Sequence, residues 1–291
     1  METGNKEKKI GVALYEMLGT AFIMYALMMS NGLYLTNHRA PILITFAMTT
    51  LAWNVSGGHF NPTLTLGMYV AEKDFGGNLV TAGIMIVSQF AGAFLGLLLG
   101  YLTLLDPGYM KDLADDENVD YNASVPMRWL GQIIPVSFST GVSLPDYGST
   151  PDGFTRNWQT FWGILLASMI LSLGFCAIKH KATRVSEDAL LNSALITCYT
   201  LTTCAAISSY FGMTGLNAAL SCAYMIFEVT QFDTPNTKIP SNWLNHYLWV
   251  YILVSMLGGA LGGVLHWIHT SCAGKKGEDN DREELIPQTD A

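Results

Sequence analysis

Near-charge-free apolar stretches recur along the chain at residues 11–35, 40–55, 79–105, 158–178, 189–211 and 246–270. A helix needs about 20 such residues to cross a hydrocarbon core. The pattern therefore predicts six membrane spans, the second of them short unless its helix borrows from residues 37–39. Two further apolar runs, 62–71 and 218–228, are too short to cross. Each follows a polar, glycine-loosened segment and opens on an Asn, at Asn61-Pro62-Thr63 and Asn217-Ala218-Ala219. Asn is a good N-cap, and Pro fits a first turn where its missing N–H is of no consequence. The spacing thus predicts half-helices over 61–71 and 217–228. Extended backbone ahead of each is tolerable at membrane depth only where its carbonyls line a wet cavity. Gly57, Gly58, His59, Met213 and Gly215 are the candidate pore carbonyls. Two half-helix N-termini meeting at the midplane would also hold a positive potential there.

The expected fold class is an all-α membrane protein of six transmembrane helices and two re-entrant half-helices in an inverted repeat. Residues 1–10 form an inner N-terminus, 11–105 the first repeat, 106–157 a long outer loop, 158–270 the second repeat and 271–291 an inner tail. The first span carries no cleavage pattern, so it is read as uncleaved. With the N-terminus inside, ten of the 15 Lys and Arg fall on that face, Lys73, Lys179 and Lys181 among them, which predicts cytoplasmic termini. Gly92, Gly96 and Gly100 in the third span, and Gly258, Gly259, Gly262 and Gly263 in the sixth, stand at corresponding places and permit close helix crossings.

Composition agrees: 50% of residues are hydrophobic and only 13% charged, a membrane protein's balance. The net charge of −8 comes largely from the long loop and the tail and argues against nucleic acid. Five cysteines sit in or beside spans without paired spacing, so neither a disulfide framework nor a metal site is expected. No catalytic arrangement or phosphate-binding glycine loop is present, and no enzyme activity or cofactor is expected. Asn122-Ala123-Ser124 in the outer loop is a glycosylation sequon. In the tail, Asp281 to Leu285-Ile286 resembles an acidic dileucine sorting signal, which would direct the chain to endosomal or vacuolar membranes; an ordinary acidic tail is the alternative.

Ser56-Gly57-Gly58-His59-Phe60-Asn61-Pro62-Thr63-Leu64-Thr65-Leu66-Gly67 closely resembles the first signature of the aquaporins and glycerol facilitators, the major intrinsic protein family. The second signature of that family usually reads Asn-Pro-Ala-Arg-Ser, and here it is Asn217-Ala218-Ala219-Leu220-Ser221, without the Pro and the Arg. Glu16-Met17-Leu18-Gly19-Thr20 is similar to the first-span motif whose Glu accepts hydrogen bonds from the re-entrant loop. The matching Glu of the fourth span is missing, with Gln159 or Thr160 near its depth. The resemblance implies a homotetramer packed through glycine-rich and apolar outer faces, with a pore in each subunit.

The resemblance also implies an outer constriction, assigned to Ile44, Ala205, Thr214 and Leu220 by counting from the motifs, with a gap before Ser56 in the first half. That apolar ring lacks the family's Arg, as in the divergent, unorthodox aquaporins. His59 is read as a loop-shaping hydrogen bonder. Two function classes follow: a passive channel for water or small neutral solutes such as glycerol, and a poorly conducting membrane scaffold or junction protein of the same fold. Asn61 and Asn217 favour the channel, since a scaffold has no use for two midplane amides.

Overall fold

The computed structural model describes residues 2–32, 39–104, 153–184, 186–211, 216–232 and 248–284. Helices α1 (Glu2–Gly32), α2 (Arg39–Ala52), α3 (Pro62–Glu72) and α4 (Leu79–Leu104) form the first half. Helices α5 (Gly153–Lys179), α6 (Ala189–Phe211) and α7 (Ala218–Phe232) follow, then a π-helical turn, Val250–Val254, running into α8 (Ser255–Glu284). No strand occurs among the described residues. Asn122, Met213, Thr214, Gly215, Leu285 and Ile286 lie outside them, as do the side chains of Gln159, Thr160, Ala205 and Asp281.

Among the described residues, Lys8–Met29, Leu79–Thr103, Phe161–Lys179 and Val250–Cys272 are long and apolar enough to cross a membrane, and α2 and α6 show apolar stretches at Pro41–Ala52 and Ala189–Thr200. At 1.5 Å per residue the 14 residues of α2 span only about 21 Å. Its last turn is extended by bonds from the Ser56 and Gly57 N–H groups to the Ala52 carbonyl. Helices α2 and α6 pack together and carry threonines that line a central cavity, where a polar residue meets water instead of lipid. Outward, Leu43, Leu51, Val87, Leu98, Leu102, Trp162, Leu166 and Leu253 stand exposed. A belt of that kind is suited to acyl chains and ill suited to water.

The two halves interlock. Helix α1 packs along α4 as α5 packs along α8, and each short helix crosses into the other half: α3 lies against α8 and α5, and α7 lies against α4. One core cluster joins Met24, Leu27 and Met28 of α1 with Ala93 and Leu97 of α4 and Leu220, Ala223 and Tyr224 of α7. A second joins Leu64 and Met68 of α3 to Leu171 and Phe175 of α5 and Ile196 of α6.

The glycine stripes explain how close these crossings are. A Cβ on Gly92 would fall on the Met17 carbonyl and one on Gly96 on the Ala21 carbonyl. In the second half, Gly258 and Gly262 meet the Leu165 and Met169 carbonyls, while Gly259 and Gly263 meet those of Thr63 and Gly67. The expected glycine-rich outer face is thereby corrected: these glycines are used inside the subunit, where backbone approaches backbone, and the outer faces are left to larger apolar side chains.

Candidate functional site

Between the end of α2 and the start of α3 the backbone runs through three left-handed positions, Gly57 (φ 89°), Gly58 (φ 63°) and Phe60 (φ 49°). The glycines adopt this freely, but for Phe60 it is strained by about 1–3 kcal/mol and persists only if the surroundings impose it. Glu16 imposes it. Its Oε1 accepts from Ser56 Oγ (2.6 Å) and the His59 N–H (3.0 Å), and its Oε2 from the Phe60 N–H (2.7 Å) and Gln89 Nε2 (2.7 Å). The carboxylate is fully buried, and four donors make that burial tolerable.

His59 is held from its other side. Thr65 Oγ1 donates to the Asn61 carbonyl (3.1 Å), accepts from Gln89 Nε2 (2.8 Å) and lies 3.2 Å from His59 Nδ1. With its one proton committed to Asn61, the Thr65 hydroxyl assigns the ring proton to Nδ1 and makes His59 the donor. The imidazole edge packs on Phe175 at 5.1 Å. On the far side of the loop, Lys179 at the end of α5 donates from Nζ to the Gly57 carbonyl and lies over the Trp53 (4.7 Å) and Phe175 (5.6 Å) rings. The loop is thus clamped through its N–H groups by an acid of the first half and through a carbonyl by a base of the second.

The two short helices start on the loop ends. Asn61 caps α3 in extended geometry, its Oδ1 accepting from the Thr63 N–H (3.0 Å), with Pro62 in the first turn. Asn217 does the same for α7 through the Ala219 (3.1 Å) and Leu220 (3.3 Å) N–H groups. Each amide nitrogen then reaches across the pseudo-twofold. Asn61 Nδ2 donates to the Leu216 carbonyl (3.0 Å) and Asn217 Nδ2 to the Phe60 carbonyl (2.9 Å), residues 155 and 157 positions away. Each side chain therefore caps its own helix and fixes the other loop. A primary amide carries two N–H groups, so each Asn keeps one donor beyond this exchange.

Both asparagines line a cavity of about 110 Å³. A buried water needs roughly 10–15 Å³ of such space, so the cavity has room for a short file of waters or one small solute. Its lining combines apolar side chains, Ile23, Leu27, Phe60, Leu64, Phe175 and Leu220 among them, with the polar residues Thr45, Thr49, His59, Asn61, Thr197, Thr200 and Asn217. Thr197 is buried, and its hydroxyl oxygen has no hydrogen-bond partner among the described residues. Among the described residues the lining holds no Lys or Arg.

Several assignments shift. In α2 the residue facing the cavity is Thr45, while Ile44 packs against the cluster joining α1, α4 and α7. The physical reason is helical register. Pro41, Thr45 and Thr49 repeat every four residues on one face, and a count across a gap of uncertain length lands beside that face. Leu220 lines the cavity and also belongs to the same cluster. Of the candidate carbonyls, Gly58 and His59 border the cavity, and that of Gly57 is held by Lys179. Thr45 and Thr49 carried a readable signal, their spacing; nothing in the sequence joined Lys179 to Gly57.

Comparison with known proteins places this geometry. The family model described as Major intrinsic protein matches residues 6–266. The chain is 30% identical over 99 residues to a protein described as "Aquaglyceroporin" from Toxoplasma gondii, an alignment covering 33% of this chain and 35% of that protein. The matched region thus spans about a third of that relative's length. In structure the chain is similar to the aquaglyceroporin from Plasmodium falciparum, with a TM-score of 0.62 at 16% identity, covering 89% of this chain and 95% of the other.

Proposed function

The chain belongs to the major intrinsic protein family, and from that premise we propose that it is a passive channel for water and small neutral solutes, with one pore per subunit. Its fold is the all-α membrane fold of that family. The observation that carries the reading is the reciprocal pair Asn61 and Asn217, which set two helix N-termini face to face on one cavity and leave an amide donor on each. A donor at that point orients the oxygen of a passing water or alcohol. The helix dipoles oppose cations and protons at the same place.

The lining favours small solutes with both an apolar and a hydroxyl face. Aliphatic and aromatic side chains share the lining with four threonines from α2 and α6. Both similar proteins are described as aquaglyceroporins, and glycerol-sized polyols are accordingly the proposed solutes beside water. We assign the narrow point to Leu220 and Thr45 with Ala205 and Thr214. The termini are proposed to be cytoplasmic and the assembly a homotetramer packed through the exposed leucines and tryptophans of the outer faces, in the plasma membrane or an endosomal or vacuolar one. Asn122 is the proposed glycan acceptor and Asp281, Leu285 and Ile286 the sorting signal.

Swelling of proteoliposomes under water, glycerol and urea gradients tests the reading. Neutral flux above that of protein-free vesicles is expected, and its absence for all three would replace the channel with the scaffold. Leu220→Arg adds a planar group with five donors beside the cavity and is expected to lower glycerol flux relative to water. Unchanged selectivity in that variant would remove Leu220 from the narrow point.

A further inference from the structure

The cavity wall contains no Lys or Arg among the described residues, and the second signature puts Leu220 where the family resemblance implies a fixed positive charge. A cation nevertheless stands just beyond the wall. Lys179 follows Phe175 by one helical turn, about 6 Å further along α5 toward its C-terminal end. Its ammonium is held by three groups from three places: the Gly57 carbonyl in the loop, the Trp53 ring at 4.7 Å just past α2, and the Phe175 ring at 5.6 Å. Phe175 and His59 border the cavity on that side and pack edge to face against each other. A lysine at a helix end ordinarily extends its flexible stem toward water. Here two aromatic faces and a carbonyl draw the charge back beside Phe175, a residue of the cavity wall.

We infer that the Lys179 ammonium is the fixed positive charge that keeps cations and protons out of the pore at its inner mouth, a specificity-determining residue for the proposed neutral-solute channel. This rests on the channel reading above. Leu220 leaves the other mouth without such a charge, and the ammonium supplies one at the opposite end of the same file.

Two carboxylates act on the ammonium, Glu16 in the loop clamp and Glu72 at the end of α3. Both keep their charge, since the donors to Glu16 and the Asn78 Nδ2 donor to Glu72 are neutral. They offset part of the ammonium's field, and loss of the ammonium would leave both uncompensated, which favours cation entry in the same direction. Holding the Gly57 carbonyl also withdraws from permeating cations an oxygen that could coordinate them. A unit charge about 6 Å from a passing cation slows its entry between about threefold, in water-like surroundings, and about a hundredfold, at an effective dielectric near 20.

The test separates charge from positioning. Lys179→Gln retains a donor for the Gly57 carbonyl without the charge, Lys179→Met removes both, and Lys179→Arg keeps both. Wild type and variants are reconstituted into liposomes, and proton and sodium entry, read with entrapped fluorescent indicators, is divided by water flux from swelling. The expected result is a threefold or larger rise in that ratio for Lys179→Gln and Lys179→Met, and none for Lys179→Arg. A ratio for Lys179→Gln equal to wild type overturns the inference and leaves Lys179 a positioning residue for the loop. Cation entry through the unmodified protein well above that of protein-free vesicles overturns it too, without any variant. A wild type that moves no neutral solute fails the channel reading alone. The cation entry of the glutamine variant, compared directly with that of the wild type, then still decides the role of the charge.

Discussion

Replacing Glu16 is the most searching perturbation of the site, because one carboxylate holds four donors from two segments, the loop before α3 and helix α4. In Glu16→Ala the His59 and Phe60 N–H groups lose their acceptor in a buried place. Each such orphan costs about 1–3 kcal/mol, so the pair alone predicts a loss of about 2–6 kcal/mol. Ser56 Oγ and Gln89 Nε2 add less, since Ser56 can turn its hydroxyl and Gln89 keeps Thr65 as an acceptor. Phe60 no longer has an anchor for its left-handed backbone, and as it relaxes, its carbonyl leaves Asn217 Nδ2. Pore geometry and stability should therefore fail together. For a loss near 4 kcal/mol the unfolding midpoint of the detergent-solubilised protein should drop by on the order of 10 °C, and neutral flux in proteoliposomes should fall at matched protein density. Glu16→Gln should be milder. An NH2 at the Oε2 position can donate to Gln89, whose side-chain oxygen has no partner and whose amide can flip, but it cannot accept from the Phe60 N–H, so one backbone N–H is orphaned instead of two. A Glu16→Ala protein within about 1 kcal/mol of wild type, or a Glu16→Gln protein as damaged as Glu16→Ala, would refute the clamp.

Asn61→Ala removes a cap and a cross-loop donor, and should lower stability by roughly 1 kcal/mol through the cap alone while reducing neutral flux; unchanged flux at equal surface abundance would count against the amide's role. Gly92→Ala drives a methyl group onto the Met17 carbonyl and should destabilise by about 1–3 kcal/mol. Gly83→Ala, with nothing within 4 Å of its Cβ, should be neutral or stabilising by about 0.5–1 kcal/mol, and the two melting curves side by side give the answer. His180 lies just past the end of α5, where burial first and the charge of Lys73 second hold its pKa below the ordinary 6.5. The unfolded chain then binds the proton more readily than the folded one, so stability is full above about pH 6.5 and falls as the pH drops below it. His180→Asn should flatten the change in melting temperature between pH 7.5 and pH 5.5, and an equally steep curve would show that His180 contributes nothing to it.

Much of this architecture was legible along the chain because lipid and backbone act locally. The apolar stretches gave helices close to those observed, with α4 at Leu79–Leu104 and α6 at Ala189–Phe211. Asn61 before Pro62 marked a helix start, because capping depends on neighbours two or three residues away. Glu16 stood out as an acid in an apolar run, which needs partners wherever it lies. The glycine periods marked crossings, although not which helix would be crossed.

What the sequence by itself determined about this protein is therefore its membrane class, the places where helices begin and break, and which polar residues must find partners. Which partners they find was decided only in three dimensions. The exchange between Asn61 and Asn217 joins carbonyls and amides more than 150 residues apart, and no local pattern encodes it. The choice of Thr45 over Ile44 as a wall residue depends on how α2 is rotated against α1, α4 and α6. Lys179, read along the chain as one more positive charge beside a membrane, becomes a clamp on the loop before α3 because Trp53, Phe175 and the Gly57 carbonyl converge on it. Hydrophobicity is a sum over neighbours in sequence and survives without the fold. A hydrogen bond or a charge at a pore mouth is set by distance and direction, which exist only once the two halves have interlocked.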